Sequence, residues 1–323
     1  MPHLLTTDPA VAATALFQGR VAVLPTETVY GLGAVADDAS AVARVFAIKG
    51  RPVDHPLIAH VRDKDTALAW VRDVPDYAIR LMESLWPGPL TLVLPRSKRA
   101  ADYLTGGQDT VAVRVPGAPI TREVIRELAR MSGDSAVAIA APSANRFGRV
   151  SPTTAQHAID ELGDLLEEGD VVLDAGPCVV GVESTIVDCT ADRPVILRPG
   201  KVTAEQVIQA TGLELGTHSQ VRAPGTLPSH YAPHARVVVT NDSGIHELAA
   251  DARVGVIALA SVSTPAGIVR LCAPRTVEEY ASSLYRALRE ADSLELSTVV
   301  VVPPPGEGLA EAIRDRLQRA ATQ

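Results

Sequence analysis

With 323 residues, a formal net charge of −8 and only 3% aromatic side chains, the chain has too little positive charge for broad nucleic-acid binding and too few rings for a base-stacking platform. No stretch approaches the roughly 18 consecutive apolar residues of a membrane span, and the opening MPHLLTTDPA lacks the basic and apolar regions of a secretory signal, so a cytoplasmic protein without membrane partners is expected. Cys178, Cys189 and Cys272 are scattered without metal-ligand spacing, which speaks against a structural zinc and agrees with a reducing compartment, and the length predicts two domains.

In chain order, Val21 to Leu24 reads as a buried strand that Pro25 stops, and Gly31 and Gly33 are expected to supply turn conformations that let backbone approach a ligand. A helix follows, capped by Asp38 or Ser40, with Val42, Val45, Phe46 and Ala47 as its apolar stripe and Lys49-Gly50-Arg51-Pro52 at its end. Apolar runs at Leu90–Leu94, Val111–Val115, Val137–Ala141, Val171–Leu173, Thr185–Val187 and Val195–Leu197 predict strands, interleaved with helical patterns over Tyr77–Leu85, Ile120–Met131 and Thr153–Leu162. Some strands alternate with helices and others follow directly, as in a twisted mixed α/β sheet. Thr203 and Gln206 form a capping box for a helix running to about Ala210.

Periodicity then disappears from Gly212 to Pro233. A connection of that length is either a solvated tether or a lid, and His230, Tyr231 and His234 give it groups able to reach a ligand. Beyond it, strands are predicted at Val237–Thr240, Val254–Ala260 and Val299–Val302, and helices at Gly244–Ala250, Val277–Ala291 and Leu309–Ala320, with Thr276 and Glu279 as a second capping box. This order suggests a smaller Rossmann-like α/β layer without a Gly-rich phosphate fingerprint. The chain divides into a larger domain over residues 1–211, a linker over 212–234 and a smaller domain over 235–323.

The groups suited to chemistry lie mainly in the larger domain. Lysine is scarce, so Lys49 beside Arg51 suits phosphate as well as it suits a helix C-terminus. No Walker-type loop occurs, and Gly31-Leu32-Gly33-Ala34-Val35-Ala36 matches a dinucleotide fingerprint in letters but not in context. Pro142-Ser143-Ala144-Asn145, with Ser151-Pro152-Thr153 after it, follows an apolar run, where ligands collect in open α/β sheets; plain turn and cap chemistry is the other account. In Thr110-Val111-Ala112-Val113-Arg114-Val115 the valines share one face, so Arg114 points to the other with Ala112 and Thr110; in a central strand its charge needs a buried partner or an anionic ligand. Arg198 after Val195-Ile196-Leu197 and Glu183-Ser184-Thr185 at the head of another strand follow the same logic, and His60 ends the run Pro56 to Ala59.

Taken in order, PTETVYGLG, KGRP with PLIAH, APSAN with SPT, GVESTIVD and ILRPG closely resemble the threonylcarbamoyl-AMP synthase family, which has the YrdC-like fold, over roughly residues 10–210. The HYAP at His230–Pro233 and the layered C-terminal segment resemble its two-domain form. The resemblance implies condensation of L-threonine, bicarbonate and ATP into threonylcarbamoyl-adenylate and pyrophosphate, a nucleotidyltransferase reaction that feeds threonylcarbamoyladenosine modification of tRNA. No nucleophile of the protein's own is then required, because a carbamate made from the substrate's amine attacks the α-phosphate. The same resemblance makes Lys49 and Arg51 the catalytic cations and assigns ATP to Lys49, Arg51, His55, Thr110, Ser143, Asn145, Ser151, Arg198 and Tyr231. Threonine goes to Thr28, His60, Arg114, Ala141 and Ser184, with Arg114 gripping its carboxylate through a bidentate fork.

Mg²⁺ is implied on the ATP phosphates and not in a protein metal site. The implied partners are the downstream tRNA threonylcarbamoyl transferase machinery and, weakly and locally, RNA. Two departures stand out: His55 occupies a position where the family commonly has Asn, which adds a pH dependence, and the linker reads PGTLPSHYAP where relatives usually carry Met and basic residues. Alternative readings on the same fold are a carbamoyl-adenylate module, as in hydrogenase maturation, and an RNA-binding regulator. The first lacks its zinc-ligand cysteines and acylphosphatase-like segment here, and the second sits poorly with net acidity.

Overall fold

Residues 3–227, 230–242, 244–245 and 253–322 are described by the computed structural model, and their strands form two sheets. The larger comprises β1 (Leu4–Thr6), β2 (Ala22–Leu24), β3 (Gly31–Val35), β4 (Ile58–His60), β5 (Leu90–Pro95), β6 (Thr110–Arg114), β7 (Ile139–Ala140), β8 (Val171–Leu173), β9 (Thr185–Asp188) and β10 (Val195–Arg198). Its order is β1-β8-β2-β3-β7-β4-β6-β5-β9-β10, with parallel pairs such as β4/β6 beside antiparallel ones such as β5/β6. Packed with this sheet are α1 (Pro9–Phe17), α2 (Ala39–Lys49), α3 (Lys64–Leu68), α4 (Asp76–Leu85), α5 (Asp102–Thr105), α6 (Pro119–Ser132), α7 (Ala155–Leu162) and α8 (Ala204–Thr211). The smaller sheet contains β11 (Arg236–Val239), β12 (Val254–Ile257), β13 (Val269–Cys272) and β14 (Thr298–Val301), all parallel in the order β11-β14-β12-β13, with α9 (Val277–Ser293) and α10 (Leu309–Ala321).

Local chemistry accounts for several element ends. Asp38 caps α2 by accepting from the N–H groups of Ser40 and Ala41, and Gly50 ends it at φ 60°. Thr203 and Gln206 make the expected capping box on α8. Thr276 caps α9, while Glu279 accepts from the N–H of Arg275 instead of closing a box.

The expectation of turns at Gly31 and Gly33 is corrected, because both residues lie within strand β3. They serve close packing: a Cβ on Gly33 would stand 2.8 Å from Ile139 Cγ2, and one on Gly31 would stand 3.2 Å from the Ala141 Cβ. The strand expected over Val137–Ala141 shrinks to β7, and the one expected over Val254–Ala260 ends at Ile257. Elements β1, α1, β3, α3, α5 and β13 add to those expected from periodicity. The helix expected over Gly244–Ala250 falls mostly outside the described residues.

One apolar cluster joins the two sheets. Val29, Val150 and Val182 from loops of the first domain, together with Tyr231, pack into the core formed by α9, α10 and the second sheet. Gly181, at φ 80°, makes that approach possible, since a Cβ there would lie 2.4 Å from the Cα of Ser282 and 2.5 Å from the Ala281 carbonyl oxygen on α9. Gly181→Ala is therefore expected to lower the thermal unfolding midpoint, by a destabilisation of about 2 kcal/mol or more, in differential scanning calorimetry.

Candidate active site

The register of the larger sheet gathers distant residues at one end. His60 and Arg114 are paired neighbours closing the parallel strands β4 and β6, Ser184 precedes β9, and Arg198 closes β10 opposite Ile186. Around them is a cavity of about 60 Å³ lined by Thr28, Arg51, His60, Arg114, Ala141, Ser143, Glu183, Ser184, Arg198, Pro224, Gly225, His230 and Tyr231, among others. Nine of the residues singled out for substrate, eight from the five motifs and the linker together with Arg114, thus meet in one place.

Three guanidinium groups face this space. Arg114, 3% exposed on a strand flanked by β4 and β5, donates from Nη2 to Glu27 Oε1 at 2.6 Å and to Thr28 Oγ1 at 3.0 Å, and from Nε to the Gly88 carbonyl at 3.3 Å. Arg198 donates from Nε and Nη2 to the Ser184 carbonyl and from Nη1 to the Pro224 carbonyl. Arg51 donates from Nη2 to the Pro56 carbonyl at 2.8 Å, lies 5.6 Å from the Phe147 ring centre, and keeps a buried Nε without a hydrogen-bond partner. Burial, with Arg198 adding repulsion, brings Arg51 down to about 10, still a cation at neutral pH. Fixed cations without equivalent anions suit a ligand that carries negative charge.

His60 and His230 are neutral groups in this setting. Burial, helped by the nearby cations, pushes each imidazole down to about 3. His60 Nδ1 stands 3.2 Å from the Ile58 carbonyl, so an N–H there leaves Nε2 as an acceptor. Tyr231 is 1% exposed with φ 63°, stacks on Tyr285 at 5.8 Å between ring centres, and holds a buried hydroxyl without a partner. The linker around it is thus inserted, not a solvated tether. Gly225 leaves the room, because a Cβ there would lie 2.3 Å from the Tyr231 hydroxyl.

Five expected site residues stand elsewhere. Lys49 Nζ donates to the carbonyls of Ser143, at 2.5 Å, and Asn145, which places it behind the wall as a clamp on the loop carrying Ser143. Burial and Arg51 hold its pKa well below the usual ammonium range. Asn145 donates to the Arg146 and Arg149 carbonyls, leaving its buried Oδ1 unpartnered, and Ser151 donates to Glu183 Oε1 at 2.6 Å. His55 packs edge-on against Phe147 outside the cavity, and Thr110 begins β6, about 13 Å along the strand from Arg114.

The sequence reading missed Glu27 as the partner of Arg114, although it lies between Thr26 and Thr28 in the first motif. It also missed the centre formed by Glu183, which accepts from Ser151, from the Tyr285 hydroxyl and from Arg316 Nε. Burial alone would raise the Glu183 carboxyl, but Arg316, Arg198 and the Ser151 hydrogen bond hold it down to about 2. Arg316 left a signal: it falls on the apolar stripe of α10 with Leu309, Ala312, Ile313, Leu317 and Ala320.

Residues 14–200 match the family model described as telomere recombination, and residues 201–322 match the model of the threonylcarbamoyl-AMP synthase C-terminal domain. The chain is 39% identical over 330 residues to a threonylcarbamoyl-AMP synthase of Pyrococcus abyssi, covering 96% of this chain and 93% of that one. The chain belongs to the threonylcarbamoyl-AMP synthase family. It is accordingly an enzyme with nucleotidyltransferase chemistry. Its relative from Bacillus subtilis is 37% identical over 341 residues, covering 99% of this chain and 95% of that one. A crystal structure of P. abyssi Sua5 complexed with L-threonine superposes with a TM-score of 0.87 at 37% identity, covering 99% of this chain and 98% of that chain. Among the described residues no helix is long and apolar enough to cross a membrane.

The two imidazoles carry a stability consequence. Each binds a proton in the unfolded chain near pH 6.5 and in the fold only near 3, so stability is complete above pH 6.5 and is lost as pH falls toward 3. Urea unfolding between pH 7 and 5, above the range where Glu183 titrates, is expected to show this decline, and His230→Gln should make it shallower.

Proposed function

We propose that the cavity is where L-threonine, bicarbonate and ATP become threonylcarbamoyl-AMP and pyrophosphate. The observation that carries this reading is the convergence of Arg51, Arg114 and Arg198 with Thr28, His60, Ser143 and Ser184 on one space. It needs no protein nucleophile, and the thiol nearest the site is inert, since burial pushes Cys178 up to about 12. The amine of threonine adds to bicarbonate with loss of water, the carbamate oxygen attacks the α-phosphorus of ATP, and pyrophosphate leaves. The protein aligns the reactants and neutralises charge that grows on phosphoryl oxygens.

Threonine is assigned to the β4/β6 side. Thr28 and Ser184 offer hydroxyls, Ala141 gives an apolar wall, and neutral His60 offers Nε2 to a donor on the amino acid. Arg114 already commits Nη2 to Glu27 and Thr28, so the carboxylate takes Nη1 and shares the remainder with Glu27, a narrower grip than a free fork. Nucleotide is assigned to the side of Arg51, Ser143 and Arg198. As it stands the cavity holds only a few waters, far below the roughly 300–1,000 Å³ of a small-molecule pocket, so Pro224, Gly225, His230 and Tyr231 withdraw to admit ATP.

Guanidinium and hydroxyl groups, not a carboxylate cage, form the donor set, which fits a Mg²⁺ held by the triphosphate's own oxygens. When bound, that ion neutralises phosphoryl charge. Lys49, clamping the Ser143 loop from behind, sets where the Ser143 hydroxyl and backbone face the nucleotide. The reading extends to a cytoplasmic enzyme whose product is consumed by a tRNA threonylcarbamoyl transferase system.

Pyrophosphate release measured with each of threonine, bicarbonate and ATP omitted in turn is expected to require all three; threonine-independent release would overturn the reading. Arg114→Ala and Arg51→Ala are each expected to lower kcat/KM by roughly 10²- to 10³-fold, the scale of losing one preorganised charge-stabilising donor. Lys49→Ala is expected to fall in the same range.

A further inference from the structure

The second domain meets the wall of the cavity through two side chains, Arg316 and Tyr285. Arg316 projects from α10 with its side chain fully buried, and its guanidinium is used on every side. Nε donates to Glu183 Oε2 at 2.8 Å, Nη2 donates to the carbonyl of Pro199 at 3.0 Å, Nη1 donates to Asp315, and the guanidinium carbon lies 5.1 Å from the centre of the Tyr231 ring. Glu183 and Tyr231 both line the cavity, and Pro199 follows Arg198, whose guanidinium faces it. Tyr285, from α9, completes the arrangement by donating to the same Glu183 oxygen at 2.8 Å while stacking on Tyr231.

We propose that Arg316 is a positioning residue for the nucleotide side of the cavity, holding Glu183, the Arg198–Pro199 turn and the Tyr231 ring in one geometry, so that the C-terminal domain sets how the site closes over ATP. The inference rests on the reading of the cavity given above. Arg316 itself touches no substrate. It acts through three neighbours that face the space, and only a planar cation can meet a carboxylate, a carbonyl and a ring face together. Lysine can reach Glu183 but offers neither the second in-plane donor to Pro199 nor a flat surface to Tyr231. A Tyr231 freed from this support has little reason to keep its left-handed backbone, which persists only where surroundings impose it.

The test compares full-length wild type with Arg316→Met, Arg316→Lys and the double variant Glu183→Gln/Arg316→Met. The double variant leaves no unpaired buried carboxylate and so protects the experiment against misfolding of the single change. Folding is checked by near-ultraviolet circular dichroism, pyrophosphate release provides kcat and KM, and calorimetry provides the affinity for a non-hydrolysable ATP analogue. Arg316→Met and the double variant are expected to raise KM for ATP and weaken analogue binding about tenfold or more, with Arg316→Lys in between. A merely structural arginine would lower the melting midpoint and the active fraction, hence kcat, and leave KM and analogue affinity at wild-type values; that result in any folded variant overturns the proposal. Wild type is measured first: failure of its threonine-dependent release would sink the functional reading, whereas normal wild-type behaviour with unchanged variant affinities sinks the Arg316 proposal alone.

Discussion

Keeping several cations together in a place nearly closed to water is the demand around which this molecule is arranged. Lys49, Arg51, Arg114, Arg198 and Arg316 are each 8% exposed or less, and an uncompensated buried charge costs far more than a protein of this size can spare. The compensation comes mostly from backbone carbonyls that no strand or helix uses. Pro56, Gly88, Ser143, Asn145, Ser184, Pro199 and Pro224 all turn a carbonyl oxygen toward an ammonium or guanidinium group. Segments that look irregular by hydrogen-bond pattern therefore serve to solvate charge. Two carboxylates, Glu27 and Glu183, complete the compensation, and neither is free enough to repel an anionic ligand as a bare carboxylate would.

From that demand follows the dependence of one domain on the other. Glu183 leads into a strand of the large sheet, yet two of its three side-chain donors, Tyr285 and Arg316, come from helices of the small domain. Around this polar centre the interface is apolar and is shared with the core of the small domain. A ring of further ties includes Arg289 with Glu161 at 3.1 Å and Asp292 with the N–H groups of His234 and Ala235. Tyr231, near the end of the linker, is held by Tyr285 and Arg316 of the small domain. A carboxylate in the wall of the site is thus satisfied only when both domains are docked.

The same arrangement explains why the chemistry can rest on position and charge. Cys178 and Cys189 are buried, and burial raises both thiols. His60 and His230 are held neutral. What remains facing the cavity is a set of hydroxyls and fixed cations with one carboxylate, Glu183, that is already taken up by Ser151, Tyr285 and Arg316, a set suited to steadying an anion and ill suited to forming a covalent intermediate.

Much of this was legible in the chain itself. Caps at Asp38, Thr203 and Thr276 act within a few residues of their own position, and the two-residue period of Thr110 to Arg114 already placed the arginine opposite the valines, so both could be read locally. The order of motifs led to the family and, with the linker, to eight of the cavity's residues, and the strand pattern added Arg114. The turns expected at Gly31 and Gly33 failed because a glycine serves a turn and a crowded strand equally well, and only the facing Ile139 and Ala141 distinguish the two. Likewise no local pattern could say that Lys49 would spend its charge on two carbonyls almost a hundred residues away, or that Arg114 would meet Glu27 across the sheet. Propensity and periodicity act over a few residues, and so the order of amino acids was enough to mark most strands, helices and charged loops. Which of those charges face the cavity, which face each other, and that a helix at the far end of the chain supplies a partner to a carboxylate in the cavity wall became fixed only on folding, since compensation of buried charge depends on distance in space.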